Sequence, residues 1–287
     1  VSRTGAHRWR SALFVPGSNA RALEKSASLP ADIFIFDLED AVAPAEKADA
    51  RQTVADRLGQ RAGGARLCVR VNAIATDWFD GDVRMAVEAG ADAIILPKAE
   101  GPDDVRALRG QLSILRSKAP VWAMIETPLG LLHLREMALT ADETGLTALI
   151  AGANDLRAEL RARAMSGRTD ILPHLAAILA TARAAGLAAL DSVYNDFSDT
   201  EGFAAEARQG CDLGFDGKTL IHPSQIEAAN AAFSPSQGER DWARRVIEAF
   251  EAADGKGVAV LDGEMIEELH VRRARALLAA YEEDMTP

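Results

Sequence analysis

Charged and polar residues follow the short apolar runs of this sequence with a regularity that has chemical consequences. Asp37, Glu39 and Asp40 close the run at 33–38, Arg70 and Asn72 the run at 67–71, and Pro97 and Lys98 the run at 93–96. Glu126 follows the run at 121–125, Asn154 and Asp155 the run at 148–151, Asp191 and Ser192 the run at 187–190, and Asp216 and Lys218 the run at 213–215. Carboxylates gathered at one place repel one another unless protons or cations compensate, and Arg70 with Lys98 covers only part of that charge. A divalent cation is the simplest compensation. With oxygen donors on offer and no His or Cys at the run ends, hard-ligand preference points to Mg²⁺, with Mn²⁺ second and zinc disfavoured. Glu126 and Asp155, which end consecutive runs, are the best ligand pair. Other roles stay open for some of these residues. A carboxylate after a strand also caps helices, which applies to Asp40, Asp191 and Asp216, and Lys98 has Glu100 nearby as an ion-pair partner. Arg70, between Val69 and Val71, must find either a ligand anion or a structural carboxylate. His222 before Pro223 reads as a loop or core histidine.

Elements that would position these residues are legible in the rhythm of the chain. Eight apolar runs, at 11–15, 33–38, 67–71, 93–96, 121–125, 148–151, 187–190 and 213–215, alternate with helix-patterned segments. Most are continuously apolar, as expected of parallel strands buried on both faces. The expected fold is α/β, a (β/α)8 TIM barrel over residues 1–233, whose active site sits at the C-terminal ends of the strands. A doubly wound open sheet is the alternative, but the first strand lacks the Gly-x-Gly-x-x-Gly turn of a dinucleotide site. No phosphate-loop or His-Glu-x-x-His motif occurs either. Residues 234–287 read as a C-terminal helical extension: a Ser-capped helix at 236–253, a Gly-bounded turn with a short strand at 255–263, and a helix at 265–281. This extension is expected either under the barrel or exchanged between subunits.

Composition narrows the partners. The 287 residues are 48% hydrophobic and 26% charged, with a formal charge of −11, so the long-range field repels nucleic acid and anionic lipid. No apolar stretch approaches the roughly 18 residues of a membrane span, and the polar, Arg-bearing start has no apolar segment behind it. A cytoplasmic protein is expected. Two isolated cysteines, Cys68 and Cys211, make neither a disulfide framework nor a thiolate zinc site.

Several segments together resemble one family. They are Arg-Ser-Ala-Leu-Phe-Val-Pro-Gly at 10–17, Phe-Asp-Leu-Glu-Asp-Ala-Val at 36–42, Arg-Val-Asn at 70–72, Leu-Pro-Lys at 96–98, Ile-Glu-Thr-Pro-Leu-Gly at 125–130, Gly-Ala-Asn-Asp-Leu at 152–156, and Gly-Phe-Asp-Gly-Lys at 214–218 with Ile-His-Pro at 221–223. In this order and spacing the chain resembles the citrate lyase β-subunit-like family of the HpcH/HpaI aldolase superfamily. The resemblance implies a Mg²⁺-dependent barrel acting on CoA thioesters of hydroxy acids, as a homo-oligomer (trimer or hexamer). By it Glu126 and Asp155 match the metal ligands and Arg70 the substrate-holding arginine. Lys98 and Asn154 join Arg70 in the expected substrate-binding set. Lys47 and Arg51 are candidate partners for the CoA phosphates, with helix-surface charge as their alternative. In the tail, Asp-Gly-Glu-Met-Ile-Glu at 262–267 is similar to the segment by which malyl-CoA and citramalyl-CoA lyases deliver a catalytic aspartate to a neighbouring subunit. Here the matching residue is Glu267, one methylene longer.

The catalytic set implied is Arg70, Glu267 and Asp37, with Asp37 and Glu39 orienting metal waters or Arg70. The implied reaction is reversible carbon–carbon cleavage of malyl-CoA or citramalyl-CoA to acetyl-CoA and a 2-oxo acid. A malyl-CoA thioesterase on the same site and an acyl-carrier-dependent citrate lyase β-subunit (citryl-ACP lyase) are the alternatives.

Overall fold

Eight parallel strands, β1 (Ser11–Pro16), β2 (Ile33–Asp37), β3 (Arg66–Arg70), β4 (Ala93–Leu96), β5 (Val121–Ile125), β6 (Leu146–Ala151), β7 (Ala188–Asp191) and β8 (Gly217–Leu220), pair each with the next, and β8 closes on β1. The expected (β/α)8 barrel is therefore present in the computed structural model, which describes residues 9–61, 63–253 and 257–285. The polar start at 1–8 and the first residues of the turn read at 255–263 lie outside the described residues. Helices α1 (Ala20–Ser26), α2 (Lys47–Gly59), α3 (Phe79–Glu88), α4 (Pro102–Ile114), α5 (Pro128–Leu132), α6 (Leu134–Leu139), α7 (Ala141–Thr144), α8 (Ala153–Leu160), α9 (Leu172–Ala185), α10 (Thr200–Leu213) and α11 (Ile226–Ala232) fill the connections. The run at 131–139 is not one helix, because the chain turns at His133 between α5 and α6.

Strand parity decides what each residue faces, since alternate side chains point to opposite sides of a strand. Ile33 and Ile35, Cys68, Ala93 and Ile95, Trp122 and Met124, Ala148 and Ile150, and Ala188 and Leu190 form one buried cluster inside the barrel. Their neighbours of opposite parity, such as Phe34, Phe36, Ile94 and Leu149, are equally buried and face the helices. Both faces are covered, which explains why the strands read as continuous apolar runs. At the N-terminal end Trp9 and Trp122 stack with centroids 5.0 Å apart, and the Arg66 guanidinium lies over both rings at 4.8 and 5.1 Å.

The eighth strand differs from the sequence expectation. Leu213 ends α10, Gly214 caps it at φ +106°, and the strand begins only at Gly217. A Cβ on Gly217 would lie 1.7 Å from the Trp9 carbonyl oxygen, so only glycine lets β8 approach the chain entering β1 closely enough to close the barrel.

The division into compact units falls between Asn230 and Ala231. In the second unit, helices α12 (Gln237–Ala252) and α13 (Glu268–Met285) pack against one face of a two-stranded sheet of β9 (Val258–Leu261) and β10 (Glu264–Glu267). Ser236 caps α12 in a reciprocal box with Glu239. Ala243, Val246, Ile266, Val271 and Ala274 form the core of this unit. The helix expected at 265–281 starts only at Glu268, because residues 264–267 pair with β9. The hairpin turn is Asp262-Gly263, both at positive φ (+52° and +87°), which is what a tight two-residue hairpin requires of its central residues. Among the described residues no helix is long and apolar enough to cross a membrane.

Candidate active site

Extending the inward parity of the core one step toward the C-terminal ends reaches Asp37 on β2, Arg70 on β3 and Glu126 after β5. Each therefore points into the barrel mouth, above the apolar layers. They line one cavity of about 420 Å³ together with Asp40, Asn154 and Asp155, and with Phe14, Met124, Val193, Thr219 and Ile221 as its apolar and neutral walls.

Arg70 is the centre of a buried charge network. Its Nε donates to Asp37 Oδ1 and its Nη2 to Asp37 Oδ2, both at 2.7 Å, the bidentate geometry for which a guanidinium is preorganised. Nη1 lies 3.0 Å from Glu39 Oε2, and the Phe14 ring sits 4.9 Å from the guanidinium carbon. Burial opposes the charge of Arg70, but Asp37 and Glu39 outweigh it and hold its pKa above the usual arginine value. Burial likewise raises Asp37, and Arg70 with the backbone donors of Glu39 and Ala41 outweighs that, keeping the carboxyl below its ordinary range. Asp37 thereby fixes both Arg70 and the turn at 38–41, to which it accepts two backbone bonds. Its place is that of an orienting group for Arg70.

Glu126 is 1% exposed. Its Oε1 accepts the Lys98 backbone N–H at 2.7 Å, while its Oε2 is buried without a hydrogen-bond partner. Burial pushes the carboxyl up to about 7, against the lowering influence of Arg70; Glu39 and Asp155 add to the rise. Room for the carboxylate comes from Gly152, where a Cβ would lie 2.5 Å from Oε2. Asp155 stands in the first turn of α8, directly after β6. Two hard oxygen donors in one cavity, one of them buried and unpaired, suit a divalent cation that keeps water or substrate in its other positions. Among the described residues no group of three or more His, Cys, Asp and Glu side chains converges to hold a metal, so the protein offers a cation two carboxylates here and no full cage.

Other expected site residues are placed differently. The Lys98 ammonium pairs with Glu39, and with Asp40 at 3.3 Å, rather than with Glu100. Burial disfavours its charge, but the bond to Glu39 and the two carboxylate charges outweigh this and raise its pKa. Asn154 is exposed and joined to Asn195 by reciprocal amide bonds of 3.0 and 2.8 Å. Lys47 corrects the phosphate-partner expectation: it is buried, and its Nζ donates to the carbonyls of Leu38 and Glu39 at 2.7 Å each. It ties α2 to the loop after β2, and the strong backbone acceptors hold its charge away from any ligand. Arg51 donates its Nε to Asp82 Oδ1 at 2.9 Å, and Asp82 in turn holds Asn72, while the Arg51 side chain stays partly exposed. Glu267 lies on β10 opposite Val258, its backbone N–H donating to His270 Nδ1. On the same face of the hairpin Val258, Val260 and Met265 are exposed.

The strand-end residues of outward parity do not reach the mouth. Asp191 and Lys218 are fully buried between sheet and helices, where Arg168 and Glu206 complete a neutral set of two cations and two carboxylates. Asp216 stands before β8 and pairs with Arg183 at 2.8 Å. His222 stacks on Phe197 with centroids 4.7 Å apart and bonds to Ser224.

Sequence reasoning missed three contributors. Gly152 makes space for Glu126, Phe14 lies under Arg70, and Asn195 braces Asn154. Only the first had a signal, a glycine immediately after an apolar strand, which marks close approach of another group.

The mouth of this (β/α)8 barrel thus holds a clamped arginine beside two acidic side chains in one cavity, the arrangement of a barrel enzyme whose active site lies at the strand C-termini, and comparison with known proteins gives its family. The family model described as HpcH/HpaI aldolase/citrate lyase matches residues 10–223, and the chain belongs to that family. It is 47% identical over 280 residues to a (3S)-malyl-CoA thioesterase of Cereibacter sphaeroides, covering 96% of both chains. With the citrate lyase subunit beta of Escherichia coli it shares 38% identity over 283 residues, 95% of this chain and 93% of the other. The crystal structure of CitE from Mycobacterium tuberculosis in complex with magnesium, acetoacetate and coenzyme A superposes with a TM-score of 0.83 at 32% identity, covering 97% of this chain and 99% of that one.

Proposed function

We propose that this chain is a Mg²⁺-dependent enzyme acting on the CoA thioester of a small hydroxy dicarboxylic acid of the malyl class, and that it hydrolyses the thioester. The observation that carries the reading is the pair of Glu126 and Asp155 in one cavity, with Oε2 of Glu126 buried and unpartnered. Hydrolysis stands before carbon–carbon cleavage because the chain shares more identity with the (3S)-malyl-CoA thioesterase than with the citrate lyase subunit, at nearly equal coverage.

Glu126 and Asp155 would hold Mg²⁺, which when bound would supply a Lewis acid for a substrate oxygen. Arg70, immobilised by Asp37 and Glu39, presents fixed positive charge to the oxyanion that develops at the thioester carbonyl, a preorganised arrangement that needs no rearrangement during reaction. Asp40, which is 54% exposed at its side chain and lines the cavity, takes the proton of the attacking water. The C–S bond then breaks, the thiolate of CoA leaves, and the acid remains. The second reading is cleavage to acetyl-CoA and a 2-oxo acid, with Arg70 stabilising the enolate and Glu267 protonating it. It is favoured by the placement of Glu267 on an exposed apolar hairpin face, suited to a neighbouring subunit of a homo-oligomer.

Incubating the protein with Mg²⁺ and malyl-CoA, citramalyl-CoA or citryl-CoA, and following free thiol and 2-oxo acid in parallel, tests both readings. Thiol release without 2-oxo acid is expected, and EDTA stops it. 2-Oxo acid with no free thiol would replace hydrolysis by cleavage, and silence from both would make the chain a partner-dependent subunit.

The raised pKa of Glu126 sets a pH dependence. Protons and Mg²⁺ compete for the carboxylate, so the apparent Mg²⁺ affinity weakens by about tenfold per pH unit below 7 and levels off above it. Calorimetric Mg²⁺ titrations between pH 5.5 and 8.5 check this, and a flat profile would remove Glu126 from the ligand set.

A further inference from the structure

We propose that Lys98 is a positioning residue for Glu126: its backbone N–H, held in a left-handed conformation by the ion pair of its own ammonium, turns Oε2 of Glu126 toward the cation site. The inference rests on the reading of Glu126 as a Mg²⁺ ligand and goes beyond it by naming what orients that ligand.

Three observations carry it. Lys98 has φ +47°, in the region that favours glycine over residues with a Cβ. The residue adopts it two positions after β4, where the N–H then reaches Glu126 Oε1 at 2.7 Å and leaves Oε2 without a partner. Its side chain is anchored at the far end by Glu39 and, at 3.3 Å, by Asp40, and Glu39 is itself tied to Arg70 at 3.0 Å. A continuous set of bonds therefore runs from Arg70 through Glu39 and the length of Lys98 to Glu126. Remove the ammonium, and what still opposes relaxation of the unfavourable φ is the Ala99 N–H bond to the Met124 carbonyl at 3.2 Å. The backbone at 98 relaxes toward negative φ, and its N–H leaves Oε1. On the other side Gly152 abuts Glu126 and offers it no Cβ contact, so the Lys98 N–H is the hydrogen bond that fixes the carboxylate, and with its loss the orientation goes.

Two variants separate this from simple electrostatics and from a substrate contact. Lys98→Met removes the charge and keeps a side chain that disfavours positive φ. Lys98→Gly also removes the charge but adopts positive φ without cost. Coulomb's law alone predicts that deleting a cation beside a cation site strengthens Mg²⁺ binding in both. Positioning predicts the opposite for Met only: a Kd for Mg²⁺ raised by about 10-fold or more, as for loss of other groups that orient a metal ligand, with Lys98→Gly within about threefold of wild type.

The readout is calorimetric titration of the full chain with MgCl₂, with circular dichroism to verify folding. Unchanged or tighter binding by Lys98→Met overturns the proposal, and so does equal weakening in both variants, which would assign the effect to the ammonium and not to the backbone. Wild-type protein that fails to bind Mg²⁺ would instead overturn the metal-site reading itself, an outcome seen before either variant is compared.

Discussion

Glu126→Gln is expected to abolish Mg²⁺ binding and lower turnover by about 10³-fold or more, yet to raise the thermal stability of the metal-free protein at pH 8. The loss follows from removing the charged ligand: metal stabilisation of the transition state is worth several kcal/mol, and each 1.36 kcal/mol is tenfold in rate. The gain follows from linkage. Burial lifts the Glu126 carboxyl to about 7 from an ordinary value of 4.5, so between these values the folded chain holds more protons than the unfolded one. The stability this group contributes is complete below the unfolded value and is lost as pH rises through the folded one. At pH 8 the wild type carries an ionised, buried and half-paired carboxylate, whereas glutamine carries no charge to desolvate. Thermal melts in EDTA and in Mg²⁺ read both effects. Mg²⁺ raises the wild-type Tm and leaves that of the variant unmoved. A variant that still responds to Mg²⁺, or retains turnover within tenfold, would detach the chemistry from this carboxylate.

Arg70→Met is expected to destabilise the fold by about 3–5 kcal/mol, because deleting one member of a buried ion pair leaves Asp37 charged and without its cation, while Glu39 keeps Lys98. Asp37 is 1% exposed and Glu39 6% exposed, and Arg70 is the cation that both share. Urea unfolding gives the magnitude, and its pH dependence gives the cause. In the wild type Asp37 lies below its ordinary value, since Arg70 overcomes the effect of burial. It therefore stabilises the fold above the unfolded value and loses that contribution as pH falls. In the variant burial prevails and the sign reverses, so stability increases as pH falls from 7 toward 5. The double variant Arg70→Met with Asp37→Asn recovers part of the loss by removing the stranded charge. Turnover of Arg70→Met falls by about 10²–10³-fold, the effect of removing a fixed oxyanion donor, and Arg70→Lys retains the charge but not the bidentate clamp. A destabilisation below about 1 kcal/mol with no pH signature would show that the network is dispensable.

The fold was legible because the strands of a closed parallel barrel are buried on both faces and read as uninterrupted apolar runs. Seven of the eight were found within a few residues. The eighth was misplaced: Gly217 and Lys218 carry no apolar signal, and the strand is defined by the backbone of residues 9 and 10 against it. The hairpin at 258–267 was read partly as helix, although its Asp-Gly turn was visible. Met-Ile-Glu at 265–267 fits a helical pattern as well as a strand when the pairing segment is unknown.

What the amino-acid sequence determined by itself is the inventory of the mouth: a barrel, carboxylates after consecutive strands, and an arginine embedded in one of them. Tertiary structure alone decided which of those residues meet. Asp37, Arg70 and Glu126 share the inward parity of the core and converge, whereas Asp191 and Lys218 have the outward one and neutralise each other beneath α10. Lys47, Arg51 and Lys98 could not be sorted from their sequence positions, because a cation with a free reach and one consumed by carbonyls or carboxylates differ only in what the fold brings within 3 Å. Side-chain direction in a strand alternates at every residue, so an error of one position in a strand, invisible to composition, exchanges a ligand for a structural ion pair.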